Sequence, residues 1–153
     1  MADIVFNIAK GRVKEYYNRV KSNDPTNAAL ILVPIETSGL ESDATLRDVD
    51  DLAALIAGAT NEQTTMGRKT LTDADLAAVP APDDGADTNS VALPAVTWTA
   101  ATGNAISKIA VCYDPDTTGG ADSAIIPLTM FDAVATPDGN DLVLTAGTFF
   151  TAS

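Results

Sequence analysis

The segment Asp114-Pro-Asp116-Thr-Thr118-Gly119 sets acids at alternate positions ahead of a glycine. That spacing opens a calcium loop of the type D-x-D-x-D/N-G, in which carboxylates supply hard oxygen ligands and the glycine allows a sharp turn. Thr118, however, stands where an acid or amide is usual, and Ile125 takes the place of the bidentate acid. A β-turn rich in Asp and Gly accounts for the same residues better. Asp83, Asp84 and Asp87 could hold a surface cation, but a solvated loop explains them more simply. Gly67-Arg68-Lys69-Thr70 shares residues with a phosphate-binding loop. There Arg68 interrupts the Gly-Lys-Thr order and the upstream glycine is missing, so the match is empty.

The chain has no histidine and one cysteine. Ser-His-Asp and Cys-His nucleophile systems are therefore excluded. Zinc sites are nearly excluded too, since they draw on Cys and His. Cys112 lies in the apolar run Ile109-Ala110-Val111-Cys112-Tyr113 and reads as a buried, inert thiol. A carboxylate pair for glycoside hydrolysis is set by separation in space, which spacing in sequence does not reveal. Such enzymes usually bring several aromatics to stack on sugar. Here there are one Trp, three Tyr and four Phe, most at expected core positions. Trp98 reads as a packing anchor, and Phe149-Phe150 as strand core or a subunit contact. No catalytic residue, cofactor site or metal site emerges from the residues.

The elements follow from periodicity. Residues 3–21 space Val5, Ile8, Val13, Tyr16, Tyr17 and Val20 near a 3.6-residue period, with Lys and Arg between them. This predicts a basic amphipathic helix capped by Asp3, or an arm whose first residues pair as a strand; Gly11 weakens the helix. SNDPT at 22–26 is a firm stop. Residues 28–35 form a buried strand, with Pro34 placing its end near an edge. Residues 45–56 read as a helix ended by Gly58, with Asp43, Asp48, Asp50 and Asp51 at its favoured N-terminal end. Residues 59–70 are polar and fit an edge strand, and 80–90 is a Pro, Gly and Asp loop. From residue 91 the texture turns to strands: 91–101, with Val96, Trp98 and Ala100 on one face, then 107–114, 124–135 and 142–153. Gly139 sits in a tight turn. The fold class expected is α+β, mainly β. It pairs an antiparallel β-sandwich or small barrel in the C-terminal half with an N-terminal helix or arm and one inserted helix. The 153 residues make one domain: residues 1–27 are the basic helix or arm, 28–79 an α/β part, and 91–153 the β-rich part.

Composition narrows the function. Apolar residues are 46% but aromatics only 5%, so the core is built from small and β-branched side chains, a thin core that a partner often completes. The formal charge of −12 argues against nucleic acid and against anionic membranes. No stretch reaches the ~20 apolar residues of a membrane span. The N-terminus lacks a signal-peptide layout, so synthesis in a cytoplasm is expected. Charge is also segregated. Lys10, Arg12, Lys14, Arg19, Lys21, Arg47, Arg68 and Lys69 precede residue 70, whereas eleven acids and only Lys108 follow it. The asymmetry fits a docking end and a solvent-facing end, or simply a helix with a solvated basic face.

Several segments resemble small virion proteins of tailed bacteriophages. They are Trp98-Thr-Ala-Ala-Thr102, then Lys108-Ile-Ala-Val-Cys-Tyr-Asp114, Ile126-Pro-Leu128, and the closing Gly147-Thr148-Phe149-Phe150. Phe6 to Arg12 with Tyr16-Tyr17, and Asn61 to Lys69, are similar to head-gene-cluster proteins of phages of actinobacteria. The resemblance implies a head decoration (cement) or minor capsid protein on the capsid exterior, commonly trimeric, that braces the shell against internal DNA pressure. Its partners would be the major capsid protein and further copies of itself, with no nucleic acid and no membrane. It would not be an enzyme and would use no cofactor. Lys10, Arg12, Lys14 and Arg19 would dock on the acidic shell. Trp98, Tyr113, Phe149 and Phe150 would pack the core or the subunit contact. The alternatives are a low-copy head fibre, a tail or connector protein, or a carbohydrate-adhesion module.

Overall fold

The computed structural model describes residues 4–153. Nine strands and three short α-helices follow in the order β1 (Ile4–Val5), α1 (Val13–Lys21), β2 (Ala29–Glu36), α2 (Asp43–Leu46), α3 (Leu52–Leu55), β3 (Lys69–Leu71), β4 (Asn89–Leu93), β5 (Val96–Trp98), β6 (Ile106–Asp114), β7 (Ile126–Ala135), β8 (Leu142–Leu144) and β9 (Gly147–Ala152). The fold is α+β and mainly β. Its centre is an antiparallel sheet of order β1-β7-β6-β2-β3, to which both halves of the chain contribute.

The C-terminal half is one long hairpin folded over on itself. Asn89 lies opposite Ala152, Trp98 opposite Leu142, Ile109 opposite Phe131, and Tyr113 opposite Ile126. Residues 89–114 and 126–152 are thus its two arms, in near-constant register. The inner stretch, β6–β7, is the middle of the central sheet. The outer stretch, β4–β5 against β8–β9, bends back as a two-stranded ribbon. Backbone bonds from Ala101 to Asn140 (2.9 Å) and from Gly139 to Ala101 (2.7 Å) continue the pairing into the bend. Gly139, at φ +91°, supplies the left-handed backbone that this turn needs.

Both faces of the sheet are buried, which is why β2 reads as an unbroken apolar run. On one face Leu30, Leu32, Ile109, Val111, Tyr113, Leu128 and Phe131 meet α1 and the outer ribbon. On the other, Ile31, Val33, Ile35, Ala110, Cys112 and Met130 meet Leu46, Leu52 and Leu55 of α2 and α3. A bulge opposite Val111–Cys112 lets Leu128 join Phe131 on the first face despite their odd spacing.

Several expected elements differ. Of the two readings of 3–21, the helix holds only from Val13, because Gly11 at φ +77° breaks the backbone, and the alternative holds before it, where Ile4–Val5 pair as a strand with β7. The proposed Asp3 cap lies outside the described residues. The helix over 45–56 is two single turns, α2 and α3, each capped by a side-chain oxygen, Ser42 to Thr45 N–H and Asp51 to Ala54 N–H. The strand over 91–101 breaks at Pro94, which has no N–H to offer the ladder, and so becomes β4 and β5. The strand over 142–153 breaks at Thr145-Ala146, across the ribbon from Pro94-Ala95. Pro34 is not at an edge: it lies inside β2, opposite Ile109 of β6, and past the end of β3 the 61–63 segment takes over on its other side, with Gln63 N–H donating to the Pro34 carbonyl at 2.9 Å. Within 59–70, only Lys69–Thr70 belong to regular strand; Glu62 makes a single bridge to Ile35.

Candidate functional site

Helix α1 buries Val13, Tyr16, Tyr17 and Val20. With 100° between successive residues, its cations fall on two flanks of that apolar face. Arg12 and Arg19 lie on the Tyr16 side, and Lys14 lies on the Tyr17 side beside Lys21. The Arg12 guanidinium stacks 4.7 Å from the Tyr16 ring centroid, and Nε of both arginines is 3.1 Å from the Glu15 carboxylate. Arg12 first, then Arg19, hold the Glu15 carboxyl below its usual range. Lys10 is exposed at the end of the turn that precedes the helix. The four docking candidates are thus close in chain but split in space, and Glu15 partly neutralises one flank.

Residues 70–153 present the opposite sign. In residues 70–153 the one cation, Lys108, is only 8% exposed. Its ammonium is 2.7 Å from Asp132 and 3.4 Å from Asp43. Burial works against this charge, but the two carboxylates outweigh it and hold Lys108 above its usual value. The exposed charge of the C-terminal body is therefore entirely acidic.

The packing candidates are internal. Trp98 is buried and its indole N–H donates to the Gly67 carbonyl at 2.9 Å. Tyr113 stacks on Tyr16 at 4.7 Å, and Phe149 lies 6.1 Å from Tyr17. Phe150 is half-buried against the same cluster, because a bulge leaves Phe149 unmatched between Val91 and Ala92 and turns both rings inward.

Sequence reasoning missed the strongest polar assembly. Arg68 forks between two carboxylates, with Nε and Nη2 at 2.8 and 2.7 Å from Glu62 and Nη1 and Nη2 at 2.7 and 2.8 Å from Asp122. This clamp ties the 59–70 segment to the tip of the long hairpin. A cleft of about 300 Å³ opens beside it, lined by Arg68, Asp114, Thr117, Gly120, Asp122 and Ile125. Arg68 holds the Asp122 carboxyl below its usual range, the opposite of a general acid. Asp114 and Asp116 accept backbone N–H groups two residues on, as Asx turns do. Among the described residues no group of three or more His, Cys, Asp or Glu is gathered to hold a metal. No described helix is long and apolar enough to cross a membrane. A second latch is Gln63, whose Oε1 accepts Thr65 and Met66 N–H while its Nε2 donates to Thr102 and Asn104 carbonyls.

No family model, no curated protein and no solved structure matches this chain.

Proposed function

We propose that this chain is a structural component of a tailed-phage head, a decoration protein that binds the outer capsid surface and braces the shell. In this reading it is made in the bacterial cytoplasm, assembles as a trimer, contacts the major capsid protein through α1, and performs no catalysis. The observation that carries the reading is charge segregation. Lys10, Arg12 and Arg19 are exposed on α1 or in the three residues before it, while the exposed charge of residues 70–153 is wholly acidic. A cationic foot suits an acidic shell lattice, where many weak contacts add by multivalency. An acidic outer body keeps finished particles apart. Interlocked latches such as Arg68 and Gln63 suit a protein whose task is to resist load.

The test is add-back of purified chain to shells that lack it, across a salt series. Wild type binds with affinity that falls as salt rises. The variant with Gln at positions 10, 12, 14 and 19 binds more weakly and with a flatter salt dependence. Equal binding by the two removes α1 as the dock.

A further inference from the structure

Residues 88–107 and 142–153 contain every strand of the outer ribbon and hold no Asp, Glu, Lys or Arg, in a chain with nine basic and 21 acidic residues. The ribbon's inward side chains, Val91, Leu93, Val96, Trp98 and Phe149, are core. Its outward cross-strand pairs are Ser90 with Thr151, Ala92 with Thr148, and Thr97 with Val143, all neutral. Val143 is 55% exposed. Among the described residues neither β4 nor β9 has a second strand beside it. A largely apolar groove of about 270 Å³ lies next to β4, between Tyr17, Ala78 and Pro80 on one side and Ser90, Val91 and Ala92 on the other.

Soluble proteins ordinarily guard strand edges with charge, and β9 has none. Two copies at −12 repel over most of their surfaces, so contact costs least where neither presents a charge. The cores of protein interfaces are depleted of charged residues in the same way. A second copy meets this requirement automatically, because it carries the identical neutral ribbon. A partner selected by the cations of α1 has no such reason to sit here.

We propose that the outer ribbon is the contact between copies of this chain. β9 of each copy lies along the free edge of β4 in the next, and the head-to-tail contact closes into a ring. This deepens the trimer of the proposed function and rests on it.

The test uses the full chain without shells, by sedimentation over a concentration series. Wild type is expected to form trimers. Thr148→Asp and Val143→Asp are expected to weaken association about tenfold or more, because each places a carboxylate that must be desolvated in a contact whose facing residues are neutral. Thr97→Lys should weaken it as well, although it lowers the net charge, since any ion on this face must be desolvated. Thr64→Asp, on an exposed loop elsewhere, should leave association unchanged. Trp98 fluorescence at its wild-type value certifies that each variant is folded. A wild-type monomer at all concentrations overturns the inference, as does an oligomer indifferent to all three ribbon variants. Docking through α1 is scored on shells by salt dependence, so either claim can fail without the other.

Discussion

Replacing Arg68 with methionine keeps the aliphatic stem and removes four charge-assisted hydrogen bonds. Glu62 then stays behind with a side chain only 10% exposed, while Asp122 at 32% can turn to water. Breaking a fully buried pair costs about 3–5 kcal/mol, and an exposed pair contributes about 0–1. With Arg68 itself 27% exposed, the loss lies between these limits, at about 2–3 kcal/mol. For a chain of this size that lowers Tm by about 5–10 °C. The assay is denaturant unfolding followed by Trp98 fluorescence, a local reporter because the indole is bonded to Gly67, the neighbour of Arg68. The pH dependence has a fixed sign. Asp122 has a depressed carboxyl in the folded state, so its share is present above the ordinary carboxylate range and is lost as pH falls through the folded value. The gap between wild type and variant should therefore narrow on acidification below about pH 4. A loss under about 1 kcal/mol at neutral pH, or a gap that widens in acid, would refute the clamp.

Trp98→Ala should cost about 3–5 kcal/mol in denaturant unfolding, since it empties a core site and orphans the Gly67 carbonyl. Gly103→Ala should cost about 2–4 kcal/mol, because a Cβ there would lie 2.0 Å from Gln63 Nε2 on a backbone at φ +112°. Combining it with Gln63→Ala should cost less than the two single losses together, which a double-mutant cycle measures. Burial pushes the Cys112 thiol well above its usual range, so a thiol reagent should label it only on unfolding, and faster in Arg68→Met than in wild type.

What the sequence revealed depended on whether the cause was local. The apolar face of α1 is a 3.6-residue repeat, so Val13, Tyr16, Tyr17 and Val20 were readable as one stripe. The true start of the helix was not, because Val5 and Ile8 kept the apparent period while Gly11 reversed the backbone. Alternation placed Val96 and Trp98 on one face, and both are core, but it placed Ala100 there too, and Ala100 is exposed in the turn after β5 at φ +48°. The fold-back of the long hairpin was only half visible. Pro94 marks one arm, but Thr145-Ala146 breaks the other solely because it pairs across from that kink. The Arg68 clamp was invisible, since Asp122 lies 54 residues away and reaches the 59–70 segment only because the β6–β7 hairpin pairs with β2, along which that segment and β3 run. The splitting of the docking cations onto two flanks was implicit in their spacing. Their neutralisation by Glu15 was equally local, at three and four residues.

The central claim, that a tailed phage encodes this chain as a head component, is tested most directly by its copy number against the major capsid protein in purified particles of its source phage. The account predicts a ratio near one, a decoration protein spread over the whole shell. A handful of copies per particle would make it a fibre, tail or connector part instead, and its absence from particles would contradict the virion assignment altogether.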